Sequence, residues 1–276
     1  MASQLLAACA VHGPVRNGSP PANANVRVVT LVPSFADDLY AVGAGAALVA
    51  VSAYTDAPQA KGLPRIGDAS GIDAEAIVAL RPSVVVGIPA QTRLVEPLRR
   101  ARVAVVLLPD DTFASIFSNL RAIGALTHRE REAAATIARL RRETAAVQLR
   151  TRRFVRRPTV FVVLGAVPIW TVGTASYITT LLDLAGARNA AADFHGAYGE
   201  YSAEALERAQ PDLIVADPAT QLKGVLDREP WRSLRAVQLH RVAYMNPGDV
   251  ERPGPSYNDG LRWLVDLVTP FATARR

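Results

Sequence analysis

At 276 residues, 50% of them hydrophobic and 20% charged, the chain can build one large domain or two lobes and is too apolar to stay disordered. Its formal charge of +6 is local: ten arginines against three glutamates lie between His128 and Arg157, and the remainder is close to neutral. That run holds one aromatic residue, Phe154, so it lacks the stacking residues of a nucleic-acid groove, and a solvated helix face is expected instead.

The single cysteine, Cys9, excludes a disulfide within the chain and a multi-cysteine metal site. Leu6-Ala7-Ala8-Cys9 has the form of a bacterial lipobox, although only eight residues precede Cys9. A Gly, Pro, Asn and Ser-rich tract from Gly13 to Asn25 then reads as a tether. Residues 1–25 are therefore expected to be a tether with a truncated lipoprotein signal, Cys9 being the lipid anchor, against the alternative of a short disordered cytosolic tail. No apolar run approaches the 18 residues of a membrane-spanning helix.

Val26 to Val32 is a β-branched run of the kind found in buried parallel strands. A helix from Ala36 to Val42 follows, then strands at Leu48 to Ser52, Val84 to Gly87 and Val103 to Leu107, separated by helices at Ala74 to Leu80 and Thr92 to Arg100. Ala114 to Leu126 is helical. Such alternation predicts α/β structure with a mostly parallel sheet. Thr127 to Phe154 contains no Gly or Pro and opens with a capping-box pattern, Thr127 with Glu130. Its apolar stripe is thin (Ala133, Ile137, Leu140, Val147, Phe154, with Thr144 and Thr151 in the gaps), which predicts a helix roughly 40 Å long that bridges two bodies.

After Pro158 the pattern restarts: strands at Thr159 to Leu164, Leu213 to Ala216 and Arg241 to Met245, helices at Tyr177 to Ala185, Ala203 to Ala209 and Tyr257 to Phe271. Asp73 to Gly87 aligns without gaps to Ser202 to Ala216, a constant offset of 129. Each copy is an N-capped helix, a proline turn and a buried strand. The expected architecture is two similar three-layer α/β lobes, residues 26–126 and 158–276, joined by one long backbone helix within 127–157.

No nucleophile elbow, P-loop, dinucleotide fingerprint or H-E-x-x-H is present, and the four histidines lack ligand spacing, so neither an enzyme, a resident cofactor nor a metal site is expected. Ligands of open α/β sheets collect beyond the carboxyl ends of the strands. The loops there carry Tyr54, Trp170 and Tyr257, with Tyr198 and Tyr201 nearby, an arrangement suited to stacking on a large flat ligand. Glu75 and Glu204 occupy equivalent positions of the duplication. They either complement their helix dipoles or, as one exposed carboxylate per lobe, dock onto a two-fold partner.

Four stretches carry a family resemblance: Arg27 to Ser34 (RVVTLVPS), Val51 to Pro58 (VSAYTDAP), Asp73 to Pro82 (DAEAIVALRP) and Leu181 to Ala187 (LLDLAGA). The chain resembles the substrate-binding proteins of bacterial ABC importers for vitamin B12, ferric siderophores and haem, most of all the vitamin B12-binding branch. The resemblance implies an exported, monomeric protein, periplasmic or anchored to the outer face of the cytoplasmic membrane, with a metal-chelate ligand and an ABC permease dimer as partners. It implies that Glu75 and Glu204 dock on the permease, that Tyr54 packs on a corrin ring, and that Trp170 and Tyr198 stand where the branch carries aromatics. Other aromatics of that branch are replaced around Ala69, Ile88 and Asp249-Val250, which leaves another corrinoid, haem or a ferric siderophore open. For a siderophore Arg93 and Arg252 are the candidate cations; for haem, Tyr54 or His195 would face the iron.

Overall fold

The computed structural model describes residues 26–272; the lipobox and Cys9 lie outside the described residues. In the first half β1 (Val28–Thr30), α1 (Pro33–Ala41), β2 (Leu48–Ala50), α2 (Ala74–Ala79), β3 (Val84–Gly87), α3 (Glu96–Arg100) and β4 (Val105–Leu107) alternate. The strands form one parallel sheet in the order β2-β1-β3-β4. Val28, Val29, Val85 and Val86 are at most 1% exposed, as strands covered by helices on both faces require. Pro33 begins α1 instead of only ending the strand, because its missing N–H falls in the first turn, where no helical acceptor is available.

Two helices follow, α4 (Phe113–Leu126) and α5 (Glu130–Thr151), packed on each other. The expected capping box at Thr127 does not form. Thr127 is still bonded into the last turn of α4: its N–H and its hydroxyl both donate to the Ile123 carbonyl, the hydroxyl at 2.7 Å. It therefore lacks the extended backbone of an N-cap. His128 turns the chain with φ 55°, and α5 starts after Arg129, which makes no side-chain cap bond. Its 22 residues span about 33 Å.

The second half runs β5 (Thr159–Val163), β6 (Gly165–Ala166), β7 (Ile169–Val172), α6 (Tyr177–Leu184), β8 (Arg188–Asn189), β9 (Tyr198–Glu200), α7 (Ala203–Ala209), β10 (Leu213–Ala216), α8 (Arg235–Gln238), β11 (Val242–Tyr244), α9 (Pro247–Val250) and α10 (Tyr257–Val268). A second parallel sheet has the order β11-β10-β5-β8. Taken as β4-β3-β1-β2, the first sheet has the same topology, so the duplication seen in one segment extends to the whole lobe. Its finest details repeat. Asp73 and Ser202 cap α2 and α7 by accepting from Ala76 N–H (2.9 Å) and Ala205 N–H (3.1 Å). Arg81 and Gln210, 129 positions apart, both adopt positive φ (47° and 39°) directly before a proline, where right-handed helix is disfavoured. The second lobe adds a three-stranded antiparallel sheet, β6-β7-β9, where the sequence placed Trp170 in a loop.

The thin stripe on α5 ties the lobes together. Thr136 donates to the Ala41 carbonyl at the end of α1 (3.0 Å), and Thr151 to the Leu184 carbonyl at the end of α6 (3.0 Å). Between them Ile137, Leu140 and Val147 join one apolar core that includes Phe35 and Leu120 of the first lobe and Leu181 and Leu264 of the second. Most of the arginines stay exposed; from α5 Arg139 pairs with Glu143 at 3.0 Å and Arg150 with Asp266 at 3.7 Å.

Candidate functional site

The loops beyond the carboxyl ends of the two sheets meet across an inter-lobe cleft. At one side the segment following β11 reaches the first lobe. Arg252 Nη1 lies 3.0 Å from Asp37 Oδ2 on α1 and 2.8 Å from Asp56 Oδ1 beyond β2. These residues line a cavity of about 380 Å³ together with Tyr40, Asn246 and Asp249. Elsewhere along the cleft, Tyr198 on β9 lies in the field of Asp110 and Asp111, which follow β4, and of Glu251.

Three of the aromatics chosen from sequence are surface residues. Tyr54 is 69% exposed on the first lobe; Trp170 and Tyr198 are 43% and 42% exposed on the second. In the small antiparallel sheet Trp170 pairs with Glu200 and Val172 with Tyr198, so alternation places Trp170 and Tyr198 on the same face, diagonal to each other. That shared face is a consequence of a strand pairing with no periodic sequence signal, since β7 and β9 are only four and three residues long.

Tyr257 is a correction. Its ring is fully buried at the junction of α4, α5 and α10, edge-on to Phe113 at 5.0 Å, and its hydroxyl shares a 2.8 Å hydrogen bond with Thr144 of α5. The aromatic begins an amphipathic helix, and the apolar face of that helix decides where it points. Tyr201 also belongs to packing: its ring contacts Phe161 and its hydroxyl donates to Asp193 at 2.7 Å. His195 is exposed, with Nδ1 3.5 Å from the Thr174 hydroxyl, and Arg93 is exposed beyond β3. Glu75 and Glu204 are exposed in the first turns of α2 and α7. Backbone and Ser202 hydrogen bonds hold the Glu204 carboxyl below its ordinary range.

Carboxylates dominate the electrostatics. Burial, reinforced by Asp111, raises Asp110 to about 6. Burial, with the charge of Asp217, raises Glu251 to about 7, and Glu251 Oε1 has no hydrogen-bond partner among the described residues. The Arg252 pair is asymmetric. Burial outweighs the guanidinium at Asp37 and pushes its pKa up, whereas the hydrogen bond from Arg252 draws that of the more exposed Asp56 down. Arg252 itself is held above its ordinary value: burial works against its charge, but the hydrogen bonds and fields of Asp56 and Asp37 prevail. Asp37, Asp56, Asp110 and Glu251 were not singled out from sequence, because what marks them is the lobe that each one faces. Among the described residues no cluster of three or more His, Cys, Asp and Glu side chains is placed to hold a metal ion. No described helix is long and apolar enough to cross a membrane.

A cleft between duplicated lobes, with exposed aromatics on both of them, suits capture of a solute. Comparison with known proteins agrees. The sequence signature of the periplasmic binding protein family matches residues 28–247. An uncharacterized ABC transporter substrate-binding lipoprotein of Bacillus subtilis is 26% identical over 88% of this chain and 80% of its own length. The vitamin B12-binding protein of Pectobacterium carotovorum is 31% identical over 68% of this chain and 70% of its own. A periplasmic heme binding protein from Pseudomonas aeruginosa superposes with a TM-score of 0.78 at 27% identity, covering 91% of this chain and 95% of that one. The chain belongs to the periplasmic binding protein family and is a substrate-binding component of the ABC importer type.

Proposed function

We propose that the protein captures cobalamin or a related corrinoid in the inter-lobe cleft and delivers it to an ABC permease dimer. Trp170 and Tyr198 on one face of the β6-β7-β9 sheet carry this reading: two adjacent half-exposed rings suit a large flat macrocycle, and Tyr54 offers a third ring from the other lobe. The likeness to a vitamin B12-binding protein supports it. Glu75 and Glu204 are the docking carboxylates, one per lobe, held apart by the span of α5. The protein works as an exported monomer, lipid-anchored through Cys9 or free in the periplasm. Function is affinity and docking; no bond is made or broken.

Absorbance titration with cyanocobalamin, haemin and a ferric siderophore tests the ligand. Micromolar or tighter corrinoid binding, weakened about tenfold by Trp170→Ala, is expected, a loss in the range of one aromatic stack. Tight haemin or siderophore binding without corrinoid binding would move the protein to another ligand of the same class.

A further inference from the structure

Arg252 was a candidate ligand anchor, and the geometry assigns it differently. Its Nη1 is shared between Asp37 at 3.0 Å and Asp56 at 2.8 Å, partners 215 and 196 positions away on the other lobe. The Arg252 and Asp37 side chains are 18% and 19% exposed, so the pair is screened far less than a surface ion pair. The segment presenting it is braced from its own side. The Tyr177 hydroxyl donates to the Val250 carbonyl, Ser256 Oγ donates to the Gly248 carbonyl at 2.8 Å, and Asn246 Nδ2 donates to Asp249 Oδ2 at 2.8 Å. One end of this strap is thus fastened to α6 of the second lobe and the other to α1 of the first.

We infer that Arg252 is an inter-lobe latch and not a ligand anchor, and that the cleft it closes admits neutral or cationic chelates in preference to anionic ones. The second half follows from what remains. With Arg252 spent on two carboxylates, Asp249 adds further negative charge on the same side, acting on Asp37. Arg65, which also acts on Asp56, is already donating to the Ser52 and Thr55 carbonyls. Toward Tyr198 the neighbouring charges are again acidic: Asp110, Asp111 and Glu251, with Asp217 acting on Glu251. An anionic chelate, such as a ferric tricatecholate or the dipropionate of haem, would meet the carboxylates of Asp110, Asp111 and Asp249, joined by Glu251 once it ionises near pH 7, whereas an amide-fringed macrocycle would meet hydrogen-bond acceptors. The charge-selection half rests on the corrinoid reading above; the latch half does not.

The test separates them. Nitroxide labels at Val78 and Glu207, equivalent exposed positions of α2 and α7, report lobe separation in the Cys9→Ser protein without ligand. Asp37→Asn combined with Asp56→Asn should broaden the distance distribution and raise the corrinoid off-rate about tenfold. It should also raise affinity for haemin and for a ferric tricatecholate by a similar factor, because the guanidinium is freed. Arg252→Lys, which keeps the charge on a shorter side chain, should fall between the wild type and the double variant. An unchanged distance distribution in both variants would overturn the latch. Wild-type protein that binds an anionic chelate as tightly as cyanocobalamin, with loss on Arg252→Lys, would return Arg252 to the ligand and overturn charge selection. Should no corrinoid bind while the distances respond, the corrinoid reading and charge selection fall together and the latch stands.

Discussion

Asp38 offers a quantitative test of how the first lobe is built. It lies on the inward face of α1, 1% exposed, and neither carboxyl oxygen has a hydrogen-bond partner among the described residues. Burial, reinforced by the adjacent Asp37 charge, pushes its pKa well above 3.8, so the native protein holds a proton that the unfolded chain releases. The sign follows from linkage: the contribution is fully present below 3.8 and is lost as pH rises toward and through the folded pKa. For one proton the slope is at most about 1.4 kcal/mol per pH unit. Each pH unit at that slope is a sizeable share of the roughly 5–15 kcal/mol that holds a typical domain together. Asp38→Asn keeps the shape and removes the titration. Urea unfolding followed by tryptophan fluorescence, with Trp231 as a buried reporter, gives stability for both proteins at steps from pH 4 to pH 8. The difference between the two curves should grow with pH in favour of the variant, with unchanged m-values; other raised acids cancel in the difference. Parallel curves across the range would show that Asp38 is solvated or paired in the native state and would refute the argument.

Tyr257→Phe removes the hydroxyl bonded to Thr144, which keeps its bond to the Leu140 carbonyl at 2.9 Å. A loss of about 1 kcal/mol in denaturant unfolding with unchanged ligand affinity is expected, and a clear loss of affinity would put Tyr257 back in the site. Glu251, raised to about 7 by burial and Asp217, contributes stability below 4.5 that disappears as pH rises through about 7. Glu251→Gln should therefore gain on the wild type between pH 5 and pH 8, and a pH-independent difference would count against a buried acid. Glu75→Ala with Glu204→Ala should leave ligand affinity alone and weaken association with the permease in reconstituted membranes. Normal docking with reduced ligand affinity would sink the docking role.

Much of this fold could be read locally because the signals that set it act over a few residues. The caps at Asp73 and Ser202, the positive-φ turns before Pro82 and Pro211 and the valine-rich strands obey rules within four positions of the chain, and all recur at the 129-residue offset. The stripe on α5 was equally legible, since Leu140, Thr144, Val147 and Thr151 follow one helical face. Thr127 shows where even local reading fails: its sequence fits an N-cap, yet the preceding helix claims its backbone first.

Tertiary structure decided the site. Whether an aromatic near a strand end stays exposed or joins the core depends on which face of its element the packing covers; Trp170 and Tyr257 went opposite ways. The shared face of Trp170 and Tyr198 came from a small antiparallel sheet whose strands are too short to announce themselves. The role of Arg252 depended on carboxylates nearly two hundred or more positions earlier. By itself the sequence determined the repeated α/β units and the helix that joins them, because propensity, capping and periodicity are properties of neighbouring residues. Only the meeting of the lobes decided which charges are spent on each other and which face the ligand, because Coulomb and hydrogen-bond energies depend on distance in space.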